Sequence, residues 1–325
     1  MSIISCNNKN DVRDTRFSDF PIQMSLVGKK VEFPDSDHYT VGSVEIAGDG
    51  YLFYTYKTDY YLLMTDSAFS NVKPLAYKGE GPDEFAGVSG IFGQALDSAG
   101  SLSIYDPYKI CLYSIDPSNE YRLKEEISFS KTFNQYLPLS VVKNTDGKYI
   151  AIRGDNQYGM ILYDPKTKDV EEWPLGYDFK DTDNPAYDVI SFRSMAYCEQ
   201  NGICAEIYGC FPTVILHDSD GKINGAYTYT EYIKPDKDNG EAMECFLDID
   251  LTPDYIWLLY GDPDRDEKCH IFVLDYAGLP IADFKIESAM RIAIDARRQL
   301  IIAVNPRSDE EDAMVYKIPD IHSRL

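Results

Sequence analysis

Four histidines in 325 residues leave little material for an imidazole-based metal centre or catalytic site. No pair among His38, His217, His270 and His322 has metal-ligand spacing, and no Gly-x-Ser-x-Gly elbow is present for a serine nucleophile. Basic residues are scarce too. Against 54 Asp and Glu there are 31 Lys and Arg, giving a formal net charge of −23. That charge repels nucleic acid and anionic membrane surfaces and argues against both as partners. No apolar run is long enough to span a bilayer as a helix. Helical periodicity is nearly absent, and no C-x-x-C pair occurs among the seven cysteines. Cys198 and Cys204 flank Gln200-Asn201-Gly202. A three-residue hairpin loop would set them opposite one another, either bridged or as two buried thiols.

What the chain has instead is tyrosine, 26 residues against 15 phenylalanines. That balance suits pleated, half-wet sheets, where the ring packs and the hydroxyl reaches water. It also has a repeat. About every fifty residues an apolar strand ends at an Asp, Asn or Gly turn and a second strand follows at once. A third strand then typically ends in an Asp-containing turn, and a more polar fourth strand follows. The first turns cover 48–50, 97–100, 145–147, 200–202, 252–254 and 295–298. The strands after them cover 51–54, 102–105, 149–152, 203–207, 255–259 and 300–304. The third strands end near Asp66, Asp116, Asp164, Asp218, Asp275 and Lys317.

Both signals occur six times, so the expected fold is all-β, a six-bladed β-propeller. The sixth copy has no fourth strand, and a spare strand lies within residues 23–33. An N-terminal strand is therefore expected to complete the last blade and close the ring, removing an exposed edge. The expected division is a tether over 1–20 and the propeller over 21–325. The connections spanning 173–193 and 229–245 are longer than the rest.

The best-marked copy opens with Gly79-Glu80-Gly81-Pro82-Asp83-Glu84-Phe85 and continues through Asp97, Gly100, Leu102, Tyr105-Asp106, Ile110, Leu112 and Asp116. This pattern resembles the TolB-like and NHL-like six-bladed propellers, and more closely the propeller lipoproteins of Bacteroidetes. The resemblance implies an exported protein of a Gram-negative cell envelope and assigns no reaction. In physical terms, the glycines permit a tight turn, Pro82 stiffens it and Phe85 can fill the gap between neighbouring sheets. No Gly-Lys-Ser/Thr ending or following helix makes it a phosphate loop.

The N-terminal Ile3-Ile4-Ser5-Cys6, followed by a polar run, resembles the end of a lipoprotein signal. Cys6 is the expected lipid-attachment site, although only five residues precede it. Membrane contact is expected only through that anchor.

In a propeller the loops between second and third strands share one face with the loops between blades. Those loops carry Tyr108, Arg153, Asp155, Tyr208 and Asp262, with Arg193 at the entry of a first strand. Arginine and tyrosine at a channel mouth suit a polar or anionic ligand, or the end of a peptide or glycan. The expected function is a ligand- or protein-binding module without a cofactor. The alternative is a metal-dependent hydrolase or lyase at the central channel, for which Glu45, Glu244 and Asp248 are the inner-strand acids.

Overall fold

The third-strand aspartates recur because each one builds a turn. Asp66, Asp164, Asp218 and Asp275 each accept two backbone N–H bonds at Oδ1 from residues two to four positions ahead, at 2.8–3.4 Å. Gly48, Gly147 and Gly202 sit in the first turns with φ of 57°, 76° and 62°, conformations that favour glycine. The repeat seen in the sequence is thus a repeat of turn chemistry.

The structure is a computed structural model. It describes residues 13–34, 40–56, 58–81, 84–88, 102–116, 122–155, 159–174, 193–208, 211–231, 245–262, 268–308 and 312–321. Three short strands come first: β1 (Arg13–Phe17), β2 (Ile22–Ser25) and β3 (Lys29–Val31). Blade 1 is β4 (Thr40–Ala47), β5 (Gly50–Tyr56), β6 (Tyr60–Asp66) and β7 (Val72–Tyr77). Blade 2 contains β8 (Leu102–Asp106), β9 (Cys111–Asp116) and β10 (Arg122–Ser128). The residues that the repeat assigns to its first strand lie outside the described residues. One helical turn, α1 (Lys131–Asn134), leads to blade 3, formed by β11 (Val141–Lys143), β12 (Tyr149–Ile152), β13 (Gly159–Tyr163) and β14 (Val170–Pro174). Blade 4 is β15 (Arg193–Cys198), β16 (Ile203–Tyr208), β17 (Phe211–His217) and β18 (Ile223–Tyr229). Blade 5 is β19 (Cys245–Leu251), β20 (Ile256–Gly261), β21 (Cys269–Leu274) and β22 (Pro280–Ile286). Blade 6 is β23 (Arg291–Asp295), β24 (Leu300–Val304) and β25 (Ala313–Lys317).

Six apolar clusters fill the six gaps between neighbouring blades, including the gap between blade 6 and blade 1, where Ala293, Ile302 and Val304 meet Val44, Phe53 and Leu63. The ring is closed as the repeat predicts. β3 pairs antiparallel with β25 and supplies the missing fourth strand of blade 6. The segment before it does more than the sequence suggests. β1, inside the 1–20 stretch, runs parallel to β18, and β2 runs parallel to β22, giving blades 4 and 5 a fifth, outermost strand each. Residues 13–33 thus strap three successive blades. The edges left open protect themselves: β7 carries Pro74, β10 has a bulge between Glu125 and Ile127, and β14 carries Glu171, Glu172 and Pro174. β18, which has neither a charge nor a proline, is covered.

Cys198 pairs with Ile203, not with Cys204, because the turn has four residues. Cys198 therefore packs towards blade 5 and Cys204 towards blade 3, and both are free and buried. The Gly-rich loop is closed on itself. Gly81 N donates to Glu84 Oε2 at 2.9 Å, and a Cβ on Gly79 would come within 1.9 Å of that oxygen. Phe85 is buried between blades 1 and 2, edge-on to Tyr113.

Candidate functional site

Among the described residues the first-to-second turns lie at one end of the blades and the second-to-third connections at the other. The connections between blades join this second end, here called the upper face. It carries residues 58–59, 107–110, 153–155, 262 and 305–308, and the inter-blade segments 78–81, 84–88 and 129–140.

Blades 3 and 4 meet on this face through their arginines. Arg193, the first residue of β15, donates Nη1 to the Gly159 carbonyl at 2.9 Å and Nη2 to the Arg153 carbonyl. Its guanidinium lies 5.9 Å from the Tyr208 ring centre. Arg153, just past β12, grips Asp155 with Nε at 3.0 Å and Nη2 at 2.7 Å, and Glu172 of β14 with Nη1 at 2.6 Å. It stacks on Tyr136, whose hydroxyl donates to the same Glu172. Both arginines are about 95% buried, with relative exposures of 5% and 4%. Their donors are directed at protein acceptors, so they tie down residues 153–155 and Gly159 rather than project from them.

Below this node lies a buried ion pair. Glu206 and Tyr208 share a face of β16, and Glu206 Oε1 meets His217 Nε2 of β17 at 2.8 Å. Burial alone would raise the Glu206 carboxyl, but the His217 hydrogen bond and charge, with Arg193, outweigh it and hold the carboxyl below its ordinary value. For His217, burial pushes downward, and the bond and charge of Glu206 overcome it and raise the imidazole. Trp173 stacks on His217 at 6.1 Å. An acid inside the apolar strand Ile203–Tyr208 was the available sequence signal for this pair.

Of the six residues expected at the mouth, Arg153, Arg193, Asp155 and Tyr208 come together. Asp262 occupies the matching position of blade 5, beside the Cys269 thiol, which burial and then Asp262 push up. Tyr108 lies on blade 2 at the turn built by Asp106, which accepts from Tyr108 N and Lys109 N at 2.9 and 3.0 Å. It is 75% exposed. Cys6 and Glu244 lie outside the described residues, as do most of the two long connections.

The channel is lined by inner strands, whose inward edges have no strand partner. Two aspartates of β19 supply acceptors to β23: Asp248 Oδ2 accepts from Ile292 N at 2.8 Å and Asp250 Oδ2 from Ile294 N at 2.7 Å. Asp248 also accepts from Ser194 Oγ of blade 4. Burial pushes the Asp250 carboxyl up to about 7. Burial, then Asp250 and Asp248, push Glu45 of β4 well up. Glu45 and Asp248 thus feel one another's charge, with Asp250 as the member that sequence reasoning missed. Among the described residues no group of three His, Cys, Asp or Glu is arranged to hold a metal.

No family model matches the chain, and no curated protein resembles it in sequence. Solved structures share its fold at low identity. A protein of Bacteroides fragilis classed as exported matches with a TM-score of 0.56 and 12% identity, over 95% of this chain and 100% of that one. A member of the DUF4221 family from Bacteroides vulgatus matches with a TM-score of 0.57 and 14% identity, over 90% and 97%. Virginiamycin B lyase from Staphylococcus aureus matches with a TM-score of 0.50 and 10% identity, over 90% and 89%. At these identities the likeness is one of fold. No helix among the described residues is long and apolar enough to cross a membrane.

Proposed function

We propose that this chain is an exported, lipid-anchored propeller of a Gram-negative envelope that binds a protein, peptide or glycan ligand on its upper face and catalyses no reaction of its own. The anchor is Cys6, and the mouth residues are Tyr108, Arg153, Arg193, Asp155, Tyr208 and Asp262. One observation carries this reading. Seven large apolar side chains are exposed among the described residues, and five of them, Tyr56, Tyr77, Tyr108, Leu137 and Leu139, lie on the upper face of blades 1–3. Only Val27 and Leu279 lie elsewhere. Such segregation marks interaction surfaces. The arginine node supports it by anchoring Arg153, Asp155 and Gly159 beside that face, as binding loops on a scaffold require.

The test is thermal stabilisation by a panel of neutral oligosaccharides and proline-rich peptides, since a ligand that binds only the folded state raises Tm. A shift lost in Tyr108→Glu/Leu137→Glu and kept in Leu279→Glu supports the reading. The reverse pattern overturns it. The metal-dependent hydrolase or lyase is favoured by one observation, the like charge that Asp250 and Asp248 impose on the buried Glu45. It predicts that divalent cations raise Tm and that Glu45→Gln abolishes the effect.

A further inference from the structure

On the same face, blades 1 and 2 carry a row of four tyrosines that the arginine node does not touch. Tyr54 and Tyr56 alternate along β5 and meet edge-to-face, ring centres 5.0 Å apart. Tyr54 stacks on Tyr61 of β6 at 6.2 Å, with planes 20° apart. The Tyr61 hydroxyl donates to the Ala86 carbonyl at 3.0 Å, and the next residue, Gly87, lies under the ring of Tyr108. Three of the rings are in contact on blade 1, and the 86–87 backbone links them to Tyr108 on blade 2. The two ends of the row are the exposed members, Tyr56 at 44% and Tyr108 at 75%.

Both ends are seated on glycines. A Cβ at Gly42 would come within 2.2 Å of the Tyr56 ring, and one at Gly87 within 2.5 Å of the Tyr108 ring. Any larger residue would lift the ring off the backbone. Among the described residues no protein group hydrogen-bonds the hydroxyls of Tyr54, Tyr56 or Tyr108, so three polar tips stand free along an aromatic row. Like any tyrosine at neutral pH, each keeps its proton and can donate as well as accept.

We propose that this tyrosine row is a binding site for a neutral pyranose oligosaccharide. The proposal rests on the reading of the upper face as the recognition face and names its ligand class. Sugar rings present C–H groups to an aromatic face, whose quadrupole is negative, and hydroxyls to the polar tips at its margin. A neutral ligand also avoids the repulsion that a chain of net charge −23 imposes on polyanions. A polyproline ligand needs slots between rings, and the edge-to-face contact of Tyr54 with Tyr56 closes the slot there.

The experiment is calorimetric titration of the whole protein with cellohexaose, maltohexaose and mannohexaose, each beside its disaccharide, and with a proline-rich decapeptide. One hexaose is expected to bind more tightly than its disaccharide. Tyr108→Ala is expected to weaken it about tenfold, the scale of one aromatic contact. Gly87→Ala, which keeps all four tyrosines but unseats Tyr108, is expected to weaken it similarly, and Leu279→Ala to leave it unchanged. Both tyrosine-row variants should melt as the parent does. Failure of all three hexaoses to bind at millimolar concentration overturns the proposal, as does binding that ignores Tyr108→Ala and Gly87→Ala. If the decapeptide alone binds, and Tyr108→Glu/Leu137→Glu abolishes that, the upper face stands as the recognition face and the glycan assignment falls.

Discussion

The Tyr51 hydroxyl donates to Asp295 Oδ2 at 3.1 Å, joining the second strand of the first blade to the inner strand of the last. Arg298 holds the same carboxylate at 2.8 Å and reaches the Asp49 carbonyl. The seam where the ring closes is therefore polar at its lower end and apolar within. Tyr51→Phe removes one bond to a charged acceptor that keeps its arginine. We expect a loss of about 1–2 kcal/mol, read by denaturant titration. An unchanged midpoint would mean the seam bond is not formed in solution.

The strap gives a larger effect. Phe17, Phe20, Ile22, Val31 and Phe33 are all buried and all belong to it. Removing residues 1–33 exposes them as gaps in the core and uncovers the edges of β18, β22 and β25. The expected outcome is aggregation, or a Tm lowered by more than about 10 °C. A soluble truncation that melts like the parent would show that the ring does not need its N-terminal closure.

The Glu206–His217 pair of blade 4 is expected to be costly to break from one side. His217→Ala leaves the Glu206 carboxyl buried and without its hydrogen-bond partner, which costs about 3–5 kcal/mol. Glu206→Leu/His217→Leu removes both charges and should recover much of that loss. A double variant no more stable than His217→Ala would argue that packing, not charge, is at stake.

Stability should fall as pH rises from about 4 to about 7. Asp250 and Asp312 have folded-state values pushed up to about 7 and about 6, chiefly by burial. In that window the folded chain holds protons that the unfolded chain has released, so each step upward in pH favours unfolding. His217, raised in the folded state, adds to the same direction as pH rises through its folded value. Glu206, lowered, acts oppositely and only under acid conditions, where its protonation costs stability. Melting curves at pH 5 and pH 8 should show the higher Tm at pH 5, with a smaller difference in Asp250→Asn. A higher Tm at pH 8 would contradict the account.

The fold was legible because turn chemistry is local. Asp66, Asp164 and Gly202 announce their turns within five residues, and the absent fourth strand after Ile318 called for a strand from elsewhere. The parallel additions of β1 and β2 were not legible, since a four- or five-residue strand carries no mark of its partner. The site was legible only as a face. Counting strands puts Arg153 and Arg193 together, but it cannot show that Glu172, nineteen residues on and across two hairpins, holds one of those guanidiniums. Glycines 42 and 87 could not be matched to the tyrosines above them, because a clearance under a ring exists only in three dimensions.

The central claim is that recognition belongs to the upper face, and hydrogen exchange tests it most directly. The protein would be compared alone and saturated with whichever oligosaccharide or peptide raises its Tm. The account predicts slowed exchange in residues 106–110, 153–155 and 305–308. Protection confined to the turns of the opposite face, 66–71, 164–169, 218–222 and 275–279, would contradict it.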